Sequence, residues 1–176
     1  MIHIDRSTDY GLIRGIMTHP AVYRHLTDDA SPEVADFIPI ENDAFCYLVA
    51  WDGNELLGLW LLVPLNAVCW EIHTALMPNA WGDRAQRAAA VMLEWVWANT
   101  PCRRIVTHVP SDNRLAYRFA LAAGMRVFGI DEQSFLKGGR LLDQICLGIN
   151  RPLEAAETPI PADSSLVAAS AGPEEG

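Results

Sequence analysis

The sequence is short of positive charge, short of cysteine and without any long apolar run. Its 13 lysines and arginines stand against 22 aspartates and glutamates, a formal net charge of -9. A general nucleic-acid binder needs a basic surface to neutralise phosphates, so that class is excluded, although a local basic pocket is not. No stretch approaches the roughly 18 apolar residues of a membrane span. Met1-Ile2-His3-Ile4-Asp5 lacks the basic start and apolar block of a signal peptide. The expectation is a cytosolic protein with neither a membrane nor a nucleic acid as partner. Cys46, Cys69, Cys102 and Cys146 are widely spaced in apolar, strand-like contexts with no C-x-x-C pair. Buried free thiols are expected there, rather than disulfides or metal ligands. There is no internal repeat, P-loop, Ser-His-Asp set or metal-ligand spacing.

Of the 176 residues 51% are hydrophobic, which suits one compact domain. Met1 to Asp5 alternates apolar and polar and reads as a first strand. Ser7-Thr8-Asp9 offers caps for a helix carrying Leu12, Ile13, Ile16 and Met17, and Pro20 fits the first turn of a second helix, His19 to Leu26. Thr27 to Asp43 loses periodicity and reads as a long loop of the kind that covers a site. Strands are expected over Ala44 to Trp51 and Glu55 to Pro64, joined at Asp52-Gly53-Asn54, the second apolar on both faces and therefore central. Ala67 to Leu76 is the next strand. Its alternation puts Trp70, Ile72, Thr74 and Leu76 on one face, with Cys69, Glu71, His73 and Ala75 on the other.

The fifty residues from Leu76 to Met125 organise the rest. A polar, Gly-containing loop (Asn79 to Asp83) opens a helix, Asp83 to Asn99, whose apolar surface holds Ala88, Ala89, Met92, Leu93, Trp95, Val96 and Trp97. A β-branched run follows at Arg104 to Val109, and Asn113 starts a second helix ending at Gly124. The loop entering the first helix of such a βαβα unit is a place where anions commonly sit. Met125 to Lys137 and Arg140 to Ile149 form a closing hairpin around Gly138-Gly139. From Asn150 the composition turns to Ala, Pro, Ser and Glu, and residues 150–176 are expected to be a disordered acidic tail beyond a domain of residues 1–149.

The layout resembles the GNAT acetyltransferase superfamily. The resemblance rests on Asn113, Ala116, Gly124 and Met125 (family form N-x-x-A, then G-F), the Cys102-Arg103-Arg104-Ile105-Val106 strand entry, and Leu76-Met77-Pro78 before the loop. It implies an α/β fold with a mixed central sheet of about six to seven strands flanked by about four helices. It also implies acyl-CoA-dependent acyl transfer to the amine of a small molecule or peptide, with acetyl-CoA or another acyl-CoA as cosubstrate. The early helices and the loop after them would shape the acceptor pocket. Leu76 and its neighbours would offer backbone groups to the pantetheine arm, and Asn113 and Ala116 would line that arm.

The phosphate-loop motif of the family, Q/R-x-x-G-x-G/A, aligns with Trp81 at its first position and Gly82 inside it. Arg84 and Gln86 then replace the two glycines that let a backbone approach phosphate. Arg84 and Arg87 either supply side-chain contacts instead or simply solvate the helix face. For proton transfer Glu71 is the first candidate base and His73 the second. The alternative is that Glu71 is an exposed or Arg-paired strand residue and His73 a satisfied, half-buried one. The tyrosine that often serves as the acid is Ala120 here, and Tyr117 lies one helical turn earlier. The second functional class is a catalytically degenerate scaffold for binding or assembly, because loop-degenerate GNAT-like chains occur among tailed-phage and virion proteins. A second copy of the chain, or another protein, stays open as a partner.

Overall fold

The computed structural model describes residues 1–153. In chain order it holds β1 (Ile2–Arg6), α1 (Tyr10–Met17), α2 (Pro20–Leu26), β2 (Cys46–Asp52), β3 (Glu55–Pro64) and β4 (Cys69–Leu76). Then come α3 (Asp83–Asn99), β5 (Arg104–Pro110), α4 (Arg114–Ala122), β6 (Arg126–Lys137) and β7 (Arg140–Asn150). The strands form one mixed sheet in the order β1-β2-β3-β4-β5-β7-β6, with four helices on its two faces, as the resemblance implies.

Local chemistry sets the helix starts. Asp9 Oδ1 accepts from Leu12 N at 2.9 Å, and Asn113 Oδ1 accepts from Ala116 N at 3.1 Å. His19 Nδ1 accepts from Ala21 N while Pro20 occupies the first helical position. The strand expected from Ala67 begins two residues later, because the Asn66 side chain accepts from Val68 N and Cys69 N and holds a turn there. The expected domain end also shifts. Asn150 is still strand, and Arg151 N donates to Arg103 O at 2.7 Å. The tail beyond Leu153 lies outside the described residues.

Two cores follow from the period-2 pattern of the central strands. One face of the sheet, with Leu48, Trp60, Leu62, Ile72, Ile105 and Leu147, packs on Ala88, Met92 and Val96 of α3 and Ala120 of α4. The other, with Tyr47, Val49, Leu59, Leu61 and Ala75, packs on Ile13 and Ile16 of α1 and Val22 of α2. Cys46, Cys102 and Cys146 are buried free thiols and Cys69 is half-buried.

Gly58 sets how closely β3 and β4 approach. The β2–β3 register shifts between Ala50 and Trp51, opposite Gly58, whose φ is +130°. This irregularity lets Leu57 and Trp60, an odd and an even position, both point into the α3 core. A Cβ on Gly58 would stand 2.3 Å from Ala75 O and 2.7 Å from Leu76 Cα, both backbone atoms that cannot step aside. We expect Gly58→Ala to cost more than about 1 kcal/mol, the scale for a side chain forced on a glycine-only conformation. Urea unfolding of both chains checks this, and an unchanged midpoint would show that β4 yields freely.

Candidate functional site

The parallel pair at the centre of the sheet is short. β4 and β5 are in register at Cys69 with Arg104, Trp70 with Ile105 and Glu71 with Val106, and no further. Beyond Glu71, β4 stays on β3 as far as Leu76, while β5 follows β7 as far as Pro110. The two strands therefore part, and a crevice opens at their C-terminal ends where α3 and α4 begin. Ligands of α/β sheets commonly bind at such a place.

Glu71 stands at the fork. Its Oε1 is 2.8 Å from Nδ1 of His108 on β5, and its Oε2 is 4.0 Å from Nε2 of His73. The far nitrogen of His108, Nε2, lies 3.7 Å from Asp131 Oδ2 on β6. The groups thus run His73, Glu71, His108, Asp131 across three strands. The Glu71 and His108 side chains are 23% and 28% exposed, so solvent reaches the chain without flooding it. Burial lowers the His73 pKa most, and neighbouring His108 lowers it further, against the pull of the Glu71 carboxylate. Solvent at the 47% exposed His73 side chain limits that shift. Cys146 lies beside the same chain. Burial raises its thiol pKa, and the adjacent Asp131 carboxylate raises it more.

A ring of contacts walls this side of the sheet. Lys137 Nζ donates to Arg24 O and Thr27 O at 2.5 and 2.6 Å, and Asp29 accepts from the N–H groups of Gly138 and Gly139 at 2.8 and 2.7 Å. The tip of the β6–β7 hairpin is thereby tied to the end of α2 and the loop that follows. Arg14 fixes the rest of that loop by donating to the carbonyls of Val34, Ala35 and Phe37.

Glu71 and His73 share a face, as their alternation requires. His108, which the sequence reading missed, is the residue that actually hydrogen-bonds Glu71. Tyr117 packs against the α3-side core, across the sheet from Glu71. Asn113 caps α4, and Ala116 supplies the N–H that it accepts. Leu76 O accepts from Trp81 Nε1 at 3.1 Å, so this carbonyl already has a protein donor. Gly82, with φ +84°, is the N-cap of α3 and provides no side-chain acceptor, which leaves the first N–H groups of that helix open.

Arg84 is engaged by two carboxylates. Its Nε and one terminal nitrogen lie 3.2 and 3.1 Å from Asp52 Oδ2, and that terminal nitrogen is 2.5 Å from Glu55 Oε2. The β2–β3 turn brings two carboxylates to the start of α3, and Asp52 also takes the N-terminal ammonium at 2.9 Å. Arg84 is therefore neutralised as a tie between hairpin and helix. Arg87, one turn further along, is exposed and makes no ion pair among the described residues. Gln86 Oε1 is buried in the same turn without a hydrogen-bond partner.

No family model matches the chain, and no curated protein does. Among solved structures, the fold is similar to a spermidine N-acetyltransferase from Vibrio cholerae, crystallised in complex with CoA and spermine. The TM-score is 0.69 at 17% identity, over 85% of this chain and 95% of that one. An acetyltransferase of the GNAT family from Streptococcus pneumoniae matches with TM-score 0.65 at 13% identity, over 86% of this chain and 100% of the other. An N-acetyltransferase from Staphylococcus aureus Mu50 matches with TM-score 0.64 at 16% identity, over 85% and 97%. At these identities the likeness establishes a GNAT-type fold. No helix among the described residues is long and apolar enough to cross a membrane.

The Arg84 tie has a pH signature. Hydrogen bonds from the N-terminus and Arg84 hold the Asp52 carboxyl below its ordinary 3.8, and Arg84 and then Asn79 hold Glu55 below 4.5. Depressed carboxylate pKa values contribute stability above the unfolded values, lost as the pH falls through the folded ones. Arg84→Met should therefore be less stable than wild type above pH 4.5, with the gap narrowing below 3.8. Thermal melts across that range check it. A gap independent of pH would mean that Arg84 acts through packing alone.

Proposed function

We propose that the protein is an acyl-CoA-dependent N-acyltransferase whose acceptor amine meets Glu71 and His108 at the fork between β4 and β5. The observation that carries this reading is the parting of the two strands immediately after Glu71, beside a carboxylate–imidazole pair. Acyl-CoA, when bound, supplies a thioester carbonyl open to attack by an amine.

Features of this chain fit such a cosubstrate. The crevice edges of β4 and β5 carry backbone groups without ladder partners, and a pantetheine arm bears amides to pair with them. The buried acceptor Gln86 Oε1 suits an N–H or O–H donor. The open N–H groups behind Gly82 and the guanidinium of Arg87, which makes no ion pair among the described residues, favour phosphate. Leu76 at the end of β4, Trp81 in the loop before α3, and Asn113 and Ala116 at the start of α4 complete the proposed contact set, and Arg84 is left out of it.

Glu71 is proposed to accept the proton of the acceptor amine, with His108 donating to its inner oxygen and holding the carboxylate in place. His73, neutral near pH 7 because burial lowers its pKa, is a second acceptor at the outer oxygen. Tyr117 on α4 is the residue proposed to protonate the departing thiolate, through the gap between the strands. The acceptor is a small molecule or peptide amine. A cationic one is favoured, because Glu71 and Asp131 face the same cleft.

Glu71→Gln should keep CoA affinity but lower turnover on an accepted amine by about 10² to 10⁴, the usual contribution of a positioned general base. The ascending limb of the pH profile should disappear with it, whereas His73→Ala should do less. Normal turnover by Glu71→Gln alongside a dead His73→Ala would reverse the assignment. Arg87→Ala should weaken CoA binding by about 1.5 to 3 kcal/mol, as for hydrogen bonds to charged groups, and Arg84→Met should leave it nearly unchanged.

One observation favours a second reading, a scaffold that has lost acyl transfer and serves in binding or assembly. Asp83 puts a negative charge in the first turn of α3, and Arg84, the neighbouring cation, is already neutralised. Calorimetry with acetyl-CoA separates the two. A heat of binding at micromolar to submillimolar cofactor supports the enzyme, and silence at millimolar cofactor supports the scaffold.

A further inference from the structure

We propose that His108, Asp131 and Cys146 form a binding site for a divalent metal ion of the zinc class, with Glu71 orienting His108 from behind. A ring nitrogen of His108, a carboxylate oxygen of Asp131 and Sγ of Cys146 all lie within 4.8 Å of one another. Ligand atoms around a four-coordinate zinc stand roughly 3.3 to 3.8 Å apart, given bonds of about 2.0 to 2.3 Å. The His108–Asp131 distance, 3.7 Å, already falls in that range, and the thiol needs to close by no more than about an ångström.

The proton on His108 strengthens the assignment. An ionised carboxylate only accepts, so the 2.8 Å contact with Glu71 Oε1 places a hydrogen on Nδ1 and turns Nε2 toward Asp131 Oδ2 at 3.7 Å. In the neutral ring the Nε2 lone pair is directed toward a second carboxylate and a thiol. The Cys146 thiol donates to Gln144 O at 3.9 Å, and a metal ion at the centre of the three groups would displace that proton. Carboxylate, imidazole and ion in sequence is also the arrangement by which proteins fix a metal-bound histidine.

The sheet presents the set on a firm platform. His108 and Cys146 are direct register partners on β5 and β7, and Asp131 projects from β6, two residues beyond the Gly129 that pairs with Cys146. A Cβ at Gly129 would already touch Cys146 Sγ at 3.9 Å, so glycine there keeps a longer side chain from packing against the buried thiol. Asp131, 56% exposed, and His108 form the opening. A thiolate with an imidazole and one carboxylate selects zinc or cobalt over magnesium or calcium, which require oxygen ligands.

The test uses the full chain, reduced, stripped with chelator and titrated with Co²⁺ in the absence of any acyl-CoA. We expect thiolate-to-cobalt charge-transfer absorption in the near ultraviolet, saturating at one equivalent and bleached by Zn²⁺. Cys146→Ser should abolish that band, and Cys69→Ser should leave it intact. Glu71→Gln should keep the band but weaken binding by about 10- to 100-fold, as loss of a ligand's orienting partner does. Asp131→Asn, an exposed change that spares the core, covers the case in which Cys146→Ser does not fold, and it should weaken binding further still. No charge-transfer band at millimolar Co²⁺, or a band that survives Cys146→Ser or follows Cys69, would overturn the proposal. Because the readout is spectroscopic, a failed acyltransferase assay leaves this result standing, and the reverse holds as well.

Discussion

Backbone polar groups must find partners, and the crevice exists because β4 and β5 each find them elsewhere. β4 is held by β3 through seven register pairs from Gly58 to Pro64, and β5 by β7 through seven from Arg104 to Pro110. Only three pairs join the two strands to each other, so neither arm depends on the other for its ladder. The fork is therefore stiff on both sides, and the groups facing it are left for a ligand. Gly58 extends this constraint outward. Its missing side chain lets β3 lie against the backbone of Ala75 and Leu76, which fixes the outer lip of the crevice.

Polar chemistry then collects where packing does not need the space. The face of the sheet beneath α3 and α4 is filled by Leu, Ile, Val, Met and Trp side chains, while the other face is filled by α1 and α2 only over β2, β3 and the end of β4. Past that cover, Glu71, His73, His108 and Asp131 gather on the same face. The β6–β7 hairpin and the α2 loop close the edge instead, through Lys137, Asp29 and backbone carbonyls. Such ties are polar and exposed. They can open at smaller cost than a packed helix, which suits the rim of the proposed site.

The elements were legible in the sequence because their signals are local. Asp9, Pro20 and Asn113 mark helix starts on their own, and alternation along β4 is enough to put Glu71 and His73 on one side. The partner of Glu71 was not legible. His108 is 37 positions away, and its meeting with Glu71 depends on the parallel register of β4 and β5, which no local pattern encodes. The role of Arg84 was hidden for the same reason, since Asp52 and Glu55 arrive from a hairpin about thirty positions earlier in the chain. Asp131 was obscured differently. β6 carries irregularities between Val127 and Gly129 and between Asp131 and Phe135, so counting by twos along it assigns faces wrongly.

The charge balance bears on what such a cleft can accept. A net charge of -9, with Glu71 and Asp131 in the site, draws cations, and the free form of an alkyl amine is scarce near neutral pH. An amine drawn in as a cation has to lose one proton before it can attack and a second afterwards. A lone carboxylate can hold only one of these. In the proposed reaction Glu71 can take one of these, and His73, 4.0 Å from its outer oxygen and half-exposed, can take the other. A carboxylate beside a second, solvent-facing base therefore makes the proposed reaction better suited to an amine acceptor than to an alcohol, which arrives neutral and releases a single proton.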